Sequence, residues 1–170
     1  IMPNWCSNSL TIKGDASTLV ALKEIIESDG EGLLEAIKPI GDWEYDTAVA
    51  KWGTKWDITT EGLEYTDNGD GTAEITGWFD SAWAPPIEAF HTLSEDWDSC
   101  YIELFYEEGG MCFVGCWDSE GGDDYYEYGD FTSKNIKDNI PAYLVEHFAL
   151  DERLDEYEQE EEEQPEVLAN

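Results

Sequence analysis

The five residues Asp67-Asn68-Gly69-Asp70-Gly71 constrain the fold more than any others in the chain. Asn and Gly accept positive φ, so this stretch predicts a tight hairpin turn. It joins two runs with strand character, Ile58 to Thr66 and Ala73 to Phe79. On the N-terminal side, a short alternating strand around Leu10 and Ile12 stops at Gly14. Asp15 can cap the helix that follows, whose period runs through Leu19, Leu22, Ile25 and Ile26. Leu33, Leu34 and Ile37 suggest one more helical turn before Pro39. On the C-terminal side, Pro85-Pro86 opens a helix through Ile87, Ala89, Phe90 and Leu93. Proline suits that first turn because its missing N–H would have no partner there. Tyr101 to Glu107 then alternates, with Ile102, Leu104 and Tyr106 on one face.

The order strand, helix, strand, strand, helix, strand matches the ferredoxin-like split βαβ arrangement. The expected class is α+β: an antiparallel sheet with the two helices on one face, plus C-terminal extra strands and an acidic helix. Met111 to Asp118 and Tyr125 to Tyr128 supply those strands. A last helix runs from Ile136 to Leu150, with Pro141 disturbing its start, and continues as an acidic stretch toward Gln164. Residues 2–150 are expected to form a single domain. Residues 151–170 form either an acidic helical extension or a disordered tail. Gly41 to Asp57 reads as an irregular aromatic loop.

Charge decides the classes of partner. Eight Lys and Arg face 41 Asp and Glu, a net of −33. The segment from Glu146 to Glu166 holds eleven acids and one Arg, or −10, so the rest of the chain carries −23. Direct nucleic-acid binding needs a basic footprint, which is absent, and anionic membrane surfaces are equally unfavourable. A small domain needs a net charge of only about 2–8 to stay soluble, so solubility alone does not account for this excess.

Ile1 to Gly14 lacks a basic end followed by an apolar run, so no secretory signal is expected, and Met2 reads as the natural start. Cys6, Cys100, Cys112 and Cys116 form no Cys-x-x-Cys pair. On one strand, Cys112 and Cys116 lie about 13 Å apart, beyond disulfide reach. Four reduced, mostly buried thiols and a cytoplasmic location are the expectation.

Four separated segments carry a family resemblance. Met2-Pro3-Asn4-Trp5-Cys6-Ser7-Asn8, Trp52-Gly53-Thr54-Lys55-Trp56-Asp57, Ala82-Trp83-Ala84-Pro85-Pro86 and Tyr106-Glu107-Glu108-Gly109-Gly110 occur in that order. Together they resemble the YubB-type ferredoxin-like domain of phages and plasmids over roughly residues 2–118. The resemblance implies a ferredoxin-like fold and a mobile-element origin, and little about activity. The acidic segment after Asp118 lies outside it.

Chemistry-bearing residues nominate no enzyme. His91 and His147 each lie on a helical pattern beside apolar residues, and no nucleophile is paired with either. No phosphate-cradling glycine motif is present, and carboxylate pairs are too common to identify anything. Four scattered Cys and two His do not make a zinc pattern. The Asp67 to Thr72 run fails as a calcium loop, since Gly69 holds its third position and Trp78 its twelfth. Neither a metal nor another cofactor is expected.

Two surfaces remain. Asp118, Glu120, Asp123, Asp124, Glu127 and Asp130 give six acids and no base over thirteen residues. Asp151, Glu152, Asp155, Glu156 and Glu160 add a stripe if the last helix continues. Tyr125, Tyr126 and Tyr128 lie among them as apolar anchors. Such a surface imitates nucleic acid and points to a basic host nucleic-acid-binding protein as partner, inhibited by occupancy of its groove. Competing explanations are a solvated tail at Glu160 to Glu163, adaptation to high salt, and solubility. The second surface is Trp-rich: Trp52, Trp56 and Trp83, with Lys55. It is either a face for protein–protein interaction or a loop packed onto the sheet.

Overall fold

A computed structural model describes residues 4–28, 32–97 and 99–163. Met2, Pro3, Gln164 and the rest of the segment 164–170 lie outside the described residues, and so does any expectation about their order. The elements are β1 (Trp5–Asp15), α1 (Ala16–Glu27), α2 (Leu33–Ile37), α3 (Tyr45–Trp52), β2 (Leu63–Asp67), β3 (Thr72–Ala82), α4 (Ile87–Asp96), β4 (Tyr101–Glu108), β5 (Phe113–Asp118), β6 (Gly122–Glu127), α5 (Ile136–Asn139), α6 (Ala142–Phe148) and α7 (Leu150–Glu163).

The sheet runs β2-β3-β1-β4-β5-β6, every neighbouring pair antiparallel. Its first four strands have the order of the split βαβ unit, and β5 and β6 extend it past β4 as a meander. The alternation of β1 explains its central place. Cys6, Asn8, Leu10 and Ile12 point to one face and are buried, and Leu10 and Ile12 pair with Leu104 and Ile102 of β4. That face meets helices α1 to α4, which connect the first four strands, through Leu19, Leu22, Leu33, Leu34, Ala48, Ala89 and Phe90.

The other face is covered differently. Over β4 to β6 it packs against the C-terminal helices through Val114, Ile136, Leu144, Val145 and Phe148. Over β1 and β3 it presents polar residues such as Ser7, Ser9, Thr76 and Asp80. The fold is therefore a sheet with helices on both faces, offset along its width. Each fully buried Leu or Ile contributes roughly 1.5–3 kcal/mol, whereas an exposed like-charge pair costs a few tenths. Two apolar cores therefore outweigh the self-repulsion of an acidic surface.

Several local expectations change. The strand expected from Ile58 starts only at Leu63, because the chain turns first: Leu63 N–H donates to Thr60 carbonyl. The irregular loop contains α3, which sets Ala48 and Trp52 into the core. Asp15 occupies the N-cap of α1 without a side-chain capping bond. The single last helix is three, since Pro141 and the left-handed Ala149 (φ 51°) break it. The cysteines are free, with Cys6 and Cys100 buried and Cys112 and Cys116 half-buried.

Candidate functional site

The acidic residues nominated from sequence do not form one array. In β6, alternation sends Asp123 and Tyr125 to the face of β4 that carries Tyr106, and Asp124 and Tyr126 to the opposite face. Tyr126 packs against the second core. Tyr128 is buried and its hydroxyl donates to Glu107. Of the three expected anchors, only Tyr125 is largely exposed. Asp118 accepts the N–H groups of Glu120 and Gly121 and so closes its own turn. Asp124 accepts the Tyr143 hydroxyl and Glu127 that of Tyr125. Glu120 and Asp130 are exposed.

The last helical segment, α7, continues to Glu163 with acids on its outer side. Leu150 and Leu154 face the second core, and Arg153 reaches inward to Glu107 at 3.1 and 3.4 Å. Glu107 is buried, so the guanidinium and the Tyr128 hydroxyl supply the partners that a buried carboxylate needs. Glu158 also faces in: it accepts the N–H and hydroxyl of Ser133, which hold its carboxyl below the usual range. Asp151 pairs with Lys137 at 3.4 Å. Glu152, Asp155, Glu156, Glu160 and Glu163 remain exposed. From Glu152 to Glu163 the axis advances about 17 Å, so these five charges stand about 4 Å apart on average, slightly wider than the 3.4 Å of a single DNA strand.

The Trp-rich surface is also redistributed. Trp52 is a core residue, 3% exposed, and its indole N–H donates to the Lys38 carbonyl. Trp56 is at the surface, with Trp5 beside it and the Lys55 ammonium 4.5 Å from its ring centre. Trp83 is 44% exposed and has φ +72°, a left-handed conformation that a bulky residue rarely adopts.

That strained backbone is held on every side. Trp83 N–H donates to Asn4 carbonyl at 2.9 Å. The Thr54 hydroxyl donates to Ala82 carbonyl at 2.8 Å. Ser81 hydroxyl donates to Ala84 carbonyl at 2.7 Å and accepts from the buried Asn8 amide at 2.9 Å. Glu108, on β4 opposite Cys6, is itself buried and accepts Gly110 and Met111 N–H. The four segments that carry the family resemblance thus meet at one end of the sheet, and their polar residues brace one another there.

Beside this knot lies a cleft of about 750 Å³. Trp83 and the first turn of α4 form one wall, with Glu88 and His91. Phe113 and Tyr125, whose rings are 5.5 Å apart, form the other. Trp117 and Tyr106 lie at its base. Tyr106 crosses β5 to donate to Asp123 at 2.6 Å, which is possible only because residue 115 is glycine: a Cβ there would sit 2.3 Å from the phenol oxygen. Burial and the bond to Asp123 push the Tyr106 hydroxyl well above the usual tyrosine range. Burial likewise raises the Asp123 carboxyl, against the opposing pull of Tyr106.

Sequence reasoning named Trp83 and the Asp123–Tyr125 pair but assigned them to different surfaces. It missed Phe113, Trp117, Tyr106, Glu88 and His91 as neighbours. The available signal was the set of four motifs, whose shared location only the strand register reveals.

The family model described as a ferredoxin-like domain in Api92-like protein matches residues 51–166. The match includes the acidic segment after Asp118, which the resemblance drawn from the motifs left out. A crystal structure of protein api92 from Yersinia pseudotuberculosis is similar over 51% of this chain at 26% identity, with a TM-score of 0.34. This chain spans 30% of the length of that one. No curated protein matches the chain.

Proposed function

The chain belongs to the family of ferredoxin-like domains found in Api92-like proteins, and on the charge of its surface we propose that it is an acidic decoy. In this reading it comes from a phage or plasmid and acts in the host cytoplasm. It occupies the basic groove of a host DNA- or RNA-binding protein, such as a defence nuclease, a restriction or CRISPR factor, a nucleoid protein or a polymerase. It works by occupancy, without turnover.

The supporting observation is the outward row of α7. Glu152, Glu156 and Glu160 stand at i, i+4, i+8, with Glu163 one turn on, all exposed. Like charges at that spacing oppose helix formation by about 0.2–0.5 kcal/mol per pair. The helix keeps them and turns its Arg153 inward instead, so the cost is not relieved where relief was available. Exposed Asp155 lies beside the row, and the whole chain adds a long-range negative field.

The test is capture from a bacterial lysate at low salt, eluted in parallel with a salt gradient and with duplex DNA. The decoy reading expects basic nucleic-acid-binding proteins that DNA displaces and that lose their own DNA binding when the chain is added. Captured proteins that keep their DNA affinity in its presence contradict the reading.

A further inference from the structure

We propose that the aromatic cleft between α4 and the β5–β6 hairpin is a binding site for an arginine side chain presented by a protein partner. This goes beyond the decoy reading, because the cleft and the outward row of α7 share no residues.

Three features of the cleft select that chemistry. The first is its charge. Among the described residues that line it are two carboxylates, Glu88 and Asp123, and neither Lys nor Arg. Its imidazole, His91, is 3.6 Å from Glu95 and edge-on to Trp117. An anion entering the cleft meets these carboxylates and a chain of net −33; a cation is attracted by both. The positive end of the α4 dipole would by itself favour an anion, but Glu88 sits in that first turn and already answers it.

The second is shape. Trp83, Phe113, Tyr125 and Trp117 present ring surface to one space. Rings attract cations over their faces, and a guanidinium, planar and weakly hydrated, stacks on them better than an ammonium does. Its fork of N–H donors suits a carboxylate within reach, and Asp123 keeps one oxygen free of the Tyr106 bond. The chain already places one of its own cations over an aromatic at this end of the molecule, Lys55 over Trp56.

The third is the strain at Trp83. A bulky residue at φ +72° costs about 1–3 kcal/mol that glycine would not, and here it still leaves the side chain 44% exposed. A hydrogen bond to the Asn4 carbonyl and others donated by Thr54 and Ser81 hold the backbone so that the indole stands over the cleft. Strain that places a half-exposed aromatic at the mouth of an acidic cavity fits a ligand contact.

The experiment titrates the full chain with a capped tripeptide, Ala-Arg-Ala, followed by the indole N–H signals in a nitrogen-resolved NMR spectrum. Trp83→Phe and Trp117→Phe assign the two cleft indoles. Saturable shifts of both are expected, with dissociation in the millimolar range or tighter. The same peptide with citrulline in place of arginine, equal in shape but neutral, should bind at least tenfold more weakly. Trp83→Ala and Asp123→Asn should each weaken binding severalfold. Tyr125→Ser, an edge-strand surface change, gives the same reading should Trp83→Ala fail to fold. A chain with Glu152, Glu156, Glu160 and Glu163 changed to Gln should bind the peptide within about twofold of the parent, whatever becomes of lysate capture. Equal binding of the citrulline peptide, preferred binding of adenosine monophosphate, or indifference to Tyr125→Ser overturns the proposal.

Discussion

The cleft end of the sheet and helix α7 are opposite solutions to presenting chemistry on a surface. The cleft is assembled from segments far apart in sequence, with strained backbone, buried polar bonds and a glycine that makes room for Tyr106. Helix α7 is one continuous segment whose outward carboxylates touch nothing that folds the protein. Fixed geometry is costly and local, which suits the selection among partners proposed for the cleft. Charge acts over a Debye length of roughly 8–10 Å without fixed contacts, which suits the attraction proposed for α7. Changes at the cleft should therefore alter stability and selectivity together, and changes on the outer row of α7 should alter attraction alone.

The largest effect is expected from Gly115→Ala. The added methyl group would lie 2.3 Å from the Tyr106 oxygen and 2.5 Å from Asp124 carbonyl, a backbone atom that cannot step aside. A loss of about 2–3 kcal/mol, measured by urea unfolding, is the expected outcome of such overpacking. A stability equal to the parent's would mean that Tyr106 is not held across β5.

Next comes Arg153→Met, which leaves Glu107 buried with Tyr128 as its remaining side-chain partner. Removing one partner of a fully buried pair costs 3–5 kcal/mol, and since Arg153 is half-exposed roughly 1–3 kcal/mol is expected. This is the one position where α7 should behave like the cleft. Hydrogen exchange should then show α7 opening ahead of the sheet.

Trp83 separates strain from packing. Trp83→Gly should be more stable than Trp83→Ala by about 1 kcal/mol, since only glycine is at ease at φ +72°. Thermal unfolding of the two variants measures it. Equal stabilities would show that the left-handed backbone is not retained.

The two regions should also titrate with opposite sign. The Asp123 carboxyl is raised by burial, so its contribution favours folding at low pH and is lost as pH rises through and above the ordinary aspartate range. The Glu158 carboxyl is lowered by Ser133, so its contribution is present above the ordinary glutamate range and is lost as pH falls below it. Asp123→Asn should remove the first dependence and Ser133→Ala the second, read as changes in the slope of the urea midpoint between pH 3 and pH 6. The smallest effect belongs to the outer row: changing Glu152, Glu156 and Glu160 to Gln should leave stability unchanged or raise it by a few tenths of a kcal/mol.

The sequence made the scaffold legible because its signals are local. The Asn68-Gly69 turn, the alternation around Leu10 and Leu104, and the Pro86 start of α4 each follow from a few neighbours, and together they order four strands and two helices correctly. Helix α3 escaped because its eight residues carry only Ala48 and Trp52 inward, too few for a visible period. The site was half legible. Alternation in β6 is enough to separate Asp123 from Asp124, and Tyr125 from Tyr126, but treating the segment as a charge run hid it. The burial of Tyr128 and Trp52 depends on Glu107 and Lys38, partners with no sequence signal. The cleft depends on β5 pairing back onto β4, which sets Phe113 and Trp117 opposite a wall some thirty residues away.

The central claim, that the outer carboxylates of α7 stand in for phosphates, is tested most directly by competition. Immobilised chain is loaded at low salt with basic proteins from a bacterial lysate, beside a chain whose Glu152, Glu156, Glu160 and Glu163 are Gln, and both are challenged with duplex DNA. The account predicts that DNA strips the parent's captured proteins and that the altered chain retains few of them. Proteins that resist DNA and bind both chains alike would contradict it.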